Sequence, residues 1–238
     1  MSQLRHDGRQ KNQLREIAIN TDFLSNVPSV LISMGNTRVL CAATVVESVP
    51  PFLVGSGKGW LTAEYSMLPA ATPSRNRRER FKISGRTQEI QRLIGRSLRA
   101  IIDLHKLGER TITIDCDVIE ADGGTRTASI TGGYIALALA IQKFMKNGIL
   151  KANPLKGKCA AISVGIVNGK PILDLCYRED VKADVDMNVV MMDNNKFIEI
   201  QGTGEESVFS YNQLQEMLSL AQKGINELFE NQEKTLTK

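Results

Sequence analysis

The chain has 238 residues, 42% hydrophobic and 24% charged, with a net charge of +4, the composition of an ordinary globular protein able to bury a full core as one large domain or two small ones. No run approaches the roughly 18 consecutive apolar residues of a membrane span. The polar start, residues 1–9, does not read as a signal peptide, so a cytoplasmic location without a membrane partner is expected.

Residues 16–20, 29–34 and 38–46 are rich in β-branched side chains, are bounded by turn residues and predict strands. Gly35-Asn36-Thr37 predicts a hairpin turn between the last two. A Pro/Gly loop covers 50–59, a further strand 60–68, and a polar, Arg-rich connection 70–84. Ile90, Leu93, Ile94, Leu98, Ile101 and Ile102 then recur at helical spacing. Arg92, Arg96 and Arg99 fall on another face of that helix and predict one positive stripe. Arg86 lies near its start, where it offers an anion contact. Across residues 75–110 eleven Lys and Arg stand against four Asp and Glu, a net of +7 that exceeds the charge of the whole chain. A block of this kind suggests a polyanionic partner; a solvated helix face is the alternative.

Residues 111–119 predict a strand and 128–146 a helix. Between them lies Asp122-Gly-Gly-Thr-Arg-Thr127, the most informative stretch of the chain. Two glycines let backbone approach a ligand, and the residues after them set N–H groups, two hydroxyls and a guanidinium at a helix N-terminus. Such an end attracts anions, and a planar guanidinium grips phosphate with two hydrogen bonds. No Gly-x-x-x-x-Gly-Lys-Ser/Thr loop occurs in the chain. The same pattern also serves as a plain chain reversal.

In the second half, 159–167 and 170–177 predict a hairpin around Asn168-Gly169, and 185–192 and 197–201 flank a tight turn at Asp193-Asn194-Asn195. An amphipathic helix is predicted over 213–230, and residues 232–238 are expected to fray. Strands followed by helices, with hairpins in place of repeated βαβ units, predict an α+β fold with mixed sheets. One domain over 1–238, of two loosely similar halves, is expected.

Cys41, Cys116, Cys159 and Cys176 are widely spaced in apolar settings and read as reduced core thiols. His6 and His105 are isolated in sequence, so a zinc site or a Ser-His triad lacks its parts. Carboxylates concentrate at Asp174, Glu179, Asp180, Asp184 and Asp186. Asp184, Asp186 and Asn188 alternate and share one strand face, continued by Val190 and Met192, which puts Asp186 at the rim of a core. Together with Asp180 it suits Mg²⁺, or one of the two could protonate a leaving oxygen. A solvated turn is the bland reading.

Taken together, the segments resemble ribonuclease PH. The resemblance is carried by Arg5-x-Asp-Gly-Arg9, Val49-Pro-Pro-Phe-Leu53, Gly59-Trp-Leu-Thr-Ala-Glu-Tyr65 and the stretch from Gly85 to Ala100. It continues through Asp115-Cys-Asp-Val-Ile119, Ala121 to Thr127, Leu173-Asp-Leu-x-Tyr177, Glu179-Asp180, Asp186-Met-Asn-Val-Val190 and Glu199-Ile-Gln-Gly-Thr203. The resemblance implies a ribosomal protein S5 domain 2-like α+β fold, related to polynucleotide phosphorylase and exosome ring subunits, and a homohexamer built as a trimer of dimers. It implies a phosphate-dependent 3′→5′ exoribonuclease, a nucleotidyltransferase that trims tRNA precursors and other structured RNA with 3′ extensions. By the same resemblance Arg86, Gly124, Thr125 and Arg126 bind inorganic phosphate, the co-substrate. Asp180 and Asp186 carry the catalytic acid chemistry and hold Mg²⁺ (or Mn²⁺). Arg75, Arg77 and Arg78 contribute to RNA binding or to ring assembly, and the stripe Arg92, Arg96 and Arg99 is assigned to the RNA-binding surface. Ala70 replaces an Arg common in the family, His6 replaces a Pro, and residues 202–209 depart from the usual Gly-Thr-Ala-Glu-Gly. Two other classes remain open: a non-catalytic RNA-binding ring subunit and a hydrolytic metal-dependent nuclease.

Overall fold

Alternation of apolar and polar residues builds the first sheet, and a computed structural model describes it within residues 5–204 and 207–237. Residues 1–4 of the polar start, Glu205 and Glu206 of the divergent 202–209 stretch, and Lys238 of the expected tail lie outside the described residues. The strands β1 (Ile17–Thr21), β2 (Ser29–Met34), β3 (Thr37–Val46), β4 (Trp60–Met67) and β5 (Thr111–Glu120) form one sheet in the order β1-β2-β3-β5-β4. All its pairings are antiparallel except β4 with β5. A parallel pair needs a crossover, and here it contains α1 (Gly85–Ala100) and the short α2 (Leu104–Leu107).

The second sheet is antiparallel throughout, in the order β7-β6-β8-β9. Its strands are β6 (Cys159–Val167), β7 (Lys170–Leu173), β8 (Val185–Met192) and β9 (Lys196–Gly204). Between the sheets runs α3 (Thr125–Lys146), which packs on β2, β3 and β5 of the first and on β6 of the second. A helix covered on several sides must be apolar nearly all round, and α3 is buried almost continuously from Thr127 to Ile141. A β-carbon on Gly132 would lie 2.8 Å from Ile32 Cγ2 and 2.9 Å from Cys41 Sγ, so the glycine lets helix and sheet approach. By length and composition α3 could cross a membrane, but 72% of its apolar window is buried inside the fold. One hydrophobic cluster joins both sheets, α1, α3 and α5 (Tyr211–Leu236).

Three local expectations need correction. The strand predicted to run to 177 stops at Leu173, because Asp174 takes a left-handed φ of 54° and the chain then turns into the four-residue helix α4 (Tyr177–Asp180). The strand face expected to include Asp184 begins one residue later, at Val185. The tail expected to fray from 232 is helical to Leu236. Gln232 is fully buried and donates to the carbonyls of Cys159 (2.8 Å) and Thr131 (3.3 Å), while Glu233 pairs with Lys158 at 2.8 Å. Polar tail residues thus find tertiary partners that local polarity does not reveal.

Candidate active site

The strand–glycine–helix junction opens the site. Gly123 and Gly124 adopt φ of 76° and 67°, and α3 begins at Thr125. The amides of Thr125 and Arg126 precede the first intrahelical bond of α3 and carry the positive end of its dipole. A buried hydroxyl pair anchors this end from below: Tyr65 Oη and Thr125 Oγ1 are 2.9 Å apart. Burial pushes the Tyr65 phenol above its ordinary value, partly opposed by the Thr125 bond and by the charges of Arg86 and Arg126. Tyr65 therefore stays neutral near two cations.

Arg126 is aimed by two neighbours. Its Nη1 donates to Glu89 Oε1 at 3.3 Å and to Gln201 Oε1 at 3.1 Å, and Gln201 Nε2 donates to Glu89 Oε1 at 3.0 Å. This small network ties α1, α3 and β9 together around one guanidinium. Arg86, in the first turn of α1, sits one helical turn before Glu89.

A cavity of about 270 Å³ collects these groups. It is lined by Arg86, Gly124, Thr125 and Arg126 on the cationic side and by Asp180 and Asp186 on the anionic side. All six residues expected to bind phosphate or act as the acidic pair thus lie on one pocket. Tyr177 and Asn188 also line it, as do Thr72, Asn76 and Ser163, which belong to no motif in the sequence. Asp180 comes from α4 and Asp186 from β8. The oxygen donors of two aspartates and the Asn188 amide are the hard ligands that Mg²⁺ prefers, so the lining fits such an ion.

The arginines expected to bind RNA divide into two sets. Arg75, Arg77 and Arg78 are exposed on an irregular segment. Asn76, between them, donates to Thr72 Oγ1 at 2.8 Å and reaches the cavity wall, so the segment borders the pocket mouth. The stripe on α1 is broken up. Arg92 is exposed, but Arg96 pairs with Glu199 of β9 at 2.7 Å. Arg99 donates to the Leu61 carbonyl at 2.8 Å and stacks over Trp60 at 4.8 Å. Burial, then Arg96, lowers the Arg99 pKa. The spacing is as predicted; Arg99 packs on Trp60 and Leu61 of β4, and Arg96, still exposed, pairs with β9.

His6, isolated in sequence, is not isolated in space: Nε2 lies 3.7 Å from Cys176 Sγ and Nδ1 lies 3.7 Å from Glu179 Oε1. Glu179 is already engaged by Arg5, whose Nε donates to Oε1 at 2.7 Å and whose Nη2 meets Oε2. Burial raises the Glu179 pKa, but the bonds to Arg5 and the Cys176 amide outweigh it and hold the carboxyl below its ordinary value. The four cysteines are all free and buried. Arg15 and Thr37, which no sequence pattern marks as site residues, lie beneath the glycine loop together with Asp174 of the carboxylate cluster. Burial opposes the Arg15 charge, and Asp174 more than offsets it, raising the guanidinium pKa.

A helix N-terminus with two arginines thus shares one cavity with two carboxylates on a two-sheet α+β frame. Residues 13–143 match the model of the 3′ exoribonuclease family, domain 1, and residues 159–224 match domain 2 of the same family. The chain belongs to the 3′ exoribonuclease family. It is 60% identical over 237 residues to ribonuclease PH of Bacillus subtilis, covering 98% of this chain and 97% of the relative. To ribonuclease PH of Crocosphaera subtropica it is 59% identical over 238 residues, covering 100% and 99%. Among solved structures, rice (Oryza sativa) Rrp46 shares the fold with a TM-score of 0.79 at 21% identity, covering 98% of this chain and 100% of that one. The Archaeoglobus fulgidus exosome with RNA bound to the active site matches with a TM-score of 0.80 at 19% identity, covering 98% and 92%.

Proposed function

We propose that the protein is a phosphate-dependent 3′→5′ exoribonuclease that trims tRNA precursors and other structured RNA, releasing nucleoside diphosphates. The observation that carries this reading is the single cavity on which Arg86, Gly124, Thr125, Arg126, Asp180 and Asp186 meet. Inorganic phosphate and the terminal phosphodiester are both anions, and bringing them together requires fixed positive potential. The α3 amides with Arg86 and Arg126 supply it without reorganising. A phosphate oxygen attacks the phosphorus of the last linkage, forming a P–O–P bond. The bond to the 3′ oxygen of the preceding nucleotide breaks, and that oxygen takes a proton. The released nucleotide carries the added phosphate as a diphosphate, and reversal of the same steps adds nucleotides. Phosphate is already an anionic nucleophile, so a general base is not needed.

Asp180 and Asp186 would hold Mg²⁺ (or Mn²⁺), which when bound neutralises charge on the transferring group. Exposed Arg75, Arg77, Arg78 and Arg92 would carry the body of the RNA through phosphate contacts, making affinity fall with salt. A homohexamer, as a trimer of dimers, would join several such patches into one surface, in the cytoplasm. Glu89 and Gln201 explain why Arg126 suits phosphate: both orient its guanidinium before substrate arrives. In Arg126→Ala the phosphate concentration for half-maximal trimming should rise at least tenfold, about the loss of one charge-assisted hydrogen bond, with RNA binding retained. Unchanged phosphate dependence in that variant would remove the cradle assignment.

A further inference from the structure

The loop that opens α3 is tied to its own helix at Gly124, whose carbonyl accepts from Thr127 Oγ1 at 2.9 Å and from the Ala128 amide at 3.0 Å. Its Asp122–Gly123 backbone is gripped by residues distant in sequence. Asp174 follows β7 in a left-handed conformation and is fully buried. Its carboxylate accepts from three nitrogens of Arg15: the amide at 2.8 Å, Nε at 3.0 Å and Nη2 at 2.7 Å. Arg15, itself buried, reaches onward, and Nη1 donates to the Asp122 carbonyl at 2.6 Å. From β3, the buried Thr37 hydroxyl closes the grip. It accepts from the Asp122 amide at 2.9 Å and donates to the Gly123 carbonyl at 2.7 Å.

The same loop touches the turn that carries the acidic group. Tyr177 N donates to Asp122 Oδ1 at 3.2 Å, and Tyr177 opens α4, which ends at Asp180. A β-carbon on Gly123 would lie 2.7 Å from the Tyr177 nitrogen, so the two backbones are in direct contact. One set of bonds therefore spans the distance between the α3 amides and Asp180.

We infer that Arg15, Thr37 and Asp174 are positioning residues for phosphorolysis, fixing the phosphate-binding loop relative to the turn that carries Asp180. The inference rests on the assignment of phosphate to the α3 N-terminus. None of the three lines the cavity, so they act through the loop and not on substrate. A planar guanidinium suits this task because its nitrogens reach a carboxylate and a carbonyl at fixed angles, which a lysine cannot reproduce. Unsatisfied buried loop groups would shift to find partners, carrying the Thr125 and Arg126 amides with them.

The test compares four variants of the full chain in steady-state trimming, with phosphate and RNA titrated separately. Thr37→Val keeps the shape and removes both loop bonds, whereas Thr37→Ser keeps the hydroxyl. Thr37→Val should raise the phosphate KM about tenfold with the RNA KM unchanged, and Thr37→Ser should restore the native phosphate KM. Arg15→Lys should shift the phosphate KM in the same direction. Should Arg15→Lys fail to fold, the Thr37 pair still decides. Arg126→Ala separates the inference from the reading beneath it. If Arg126→Ala leaves the phosphate KM unchanged, the phosphate assignment itself falls. If Arg126→Ala raises it while Thr37→Val does not, the positioning role is refuted. A Thr37→Val variant that loses only thermal stability, or in which both KM values move together, refutes it as well.

Discussion

Placing a methyl group on Gly123 should injure the site more than the same change at an unobstructed glycine. At Gly123 the new β-carbon would sit 2.7 Å from the Cys176 carbonyl carbon, 2.7 Å from the Tyr177 nitrogen and 2.8 Å from the Leu175 oxygen. All three are backbone atoms and cannot swing aside. The residue also holds a φ of 76°. Left-handed backbone costs a non-glycine residue about 1–2 kcal/mol, and forced overpacking adds about 1–3 kcal/mol. Gly148 is the control: its φ is 70°, and nothing lies within 4 Å of a β-carbon there. Gly148→Ala should therefore cost only the backbone part. Calorimetry should place the Gly123→Ala melting temperature below that of Gly148→Ala by about 2–12 °C, at about 2–4 °C per kcal/mol for a chain of this size. Displacing the loop should also raise the phosphate requirement about tenfold or more, since positioning errors near 1 Å cost on the order of a hundredfold. Equal stabilities for the two variants, with unchanged phosphate saturation in Gly123→Ala, would refute the close seating of this loop.

The two classes of arginine on α1 should separate experimentally. Arg99→Ala loses its bond to Leu61 and its stacking on Trp60, about 1–2 kcal/mol together, with RNA affinity nearly unchanged. Arg92→Ala should weaken RNA binding and flatten its salt dependence without lowering the melting temperature. Removing residues 232–238 deletes the Gln232 bonds to Thr131 and Cys159 and should cost about 1–3 kcal/mol, seen as a lower denaturant midpoint; an unchanged midpoint would mean the tail is not docked. Because Arg5 holds the Glu179 carboxyl below its ordinary value of 4.5, its stabilising contribution is full above that value. It is lost as pH falls through the lower folded value. Glu179→Gln should thus remove part of the stability at neutral pH and flatten the acid limb of the stability curve; an unaltered acid limb would contradict this.

Much of the frame is legible because local patterns and tertiary demands agree. β2 falls on residues 29–34, where Val30, Ile32 and Met34 alternate toward the core. Gly123-Gly124 marks the start of α3 because glycine, lacking a β-carbon, takes successive left-handed steps at low cost. Asp180 and Asp186 stand out as carboxylates near a strand end, and the pocket joins them to residues far away in sequence. What the sequence conceals is long-range pairing. Arg15 and Asp174 are 159 positions apart, and nothing local distinguishes Arg15 from a surface cation. Helical spacing likewise says which face Arg96 and Arg99 occupy but not that Glu199 and Trp60 meet them there. A four-residue helix such as α4 has too few positions to show a period, and Gln232 reads as tail until its partners are known.

The identity of the attacking group separates phosphorolysis from hydrolysis. The direct measurement incubates the protein with a 3′-extended RNA and Mg²⁺, with and without inorganic phosphate, and identifies the released mononucleotide. Nucleoside diphosphates, formed only when phosphate is present, are predicted. Nucleoside monophosphates released at the same rate without phosphate would mean that water is the nucleophile, and would contradict the role assigned to Arg86, Arg126 and the α3 N-terminus.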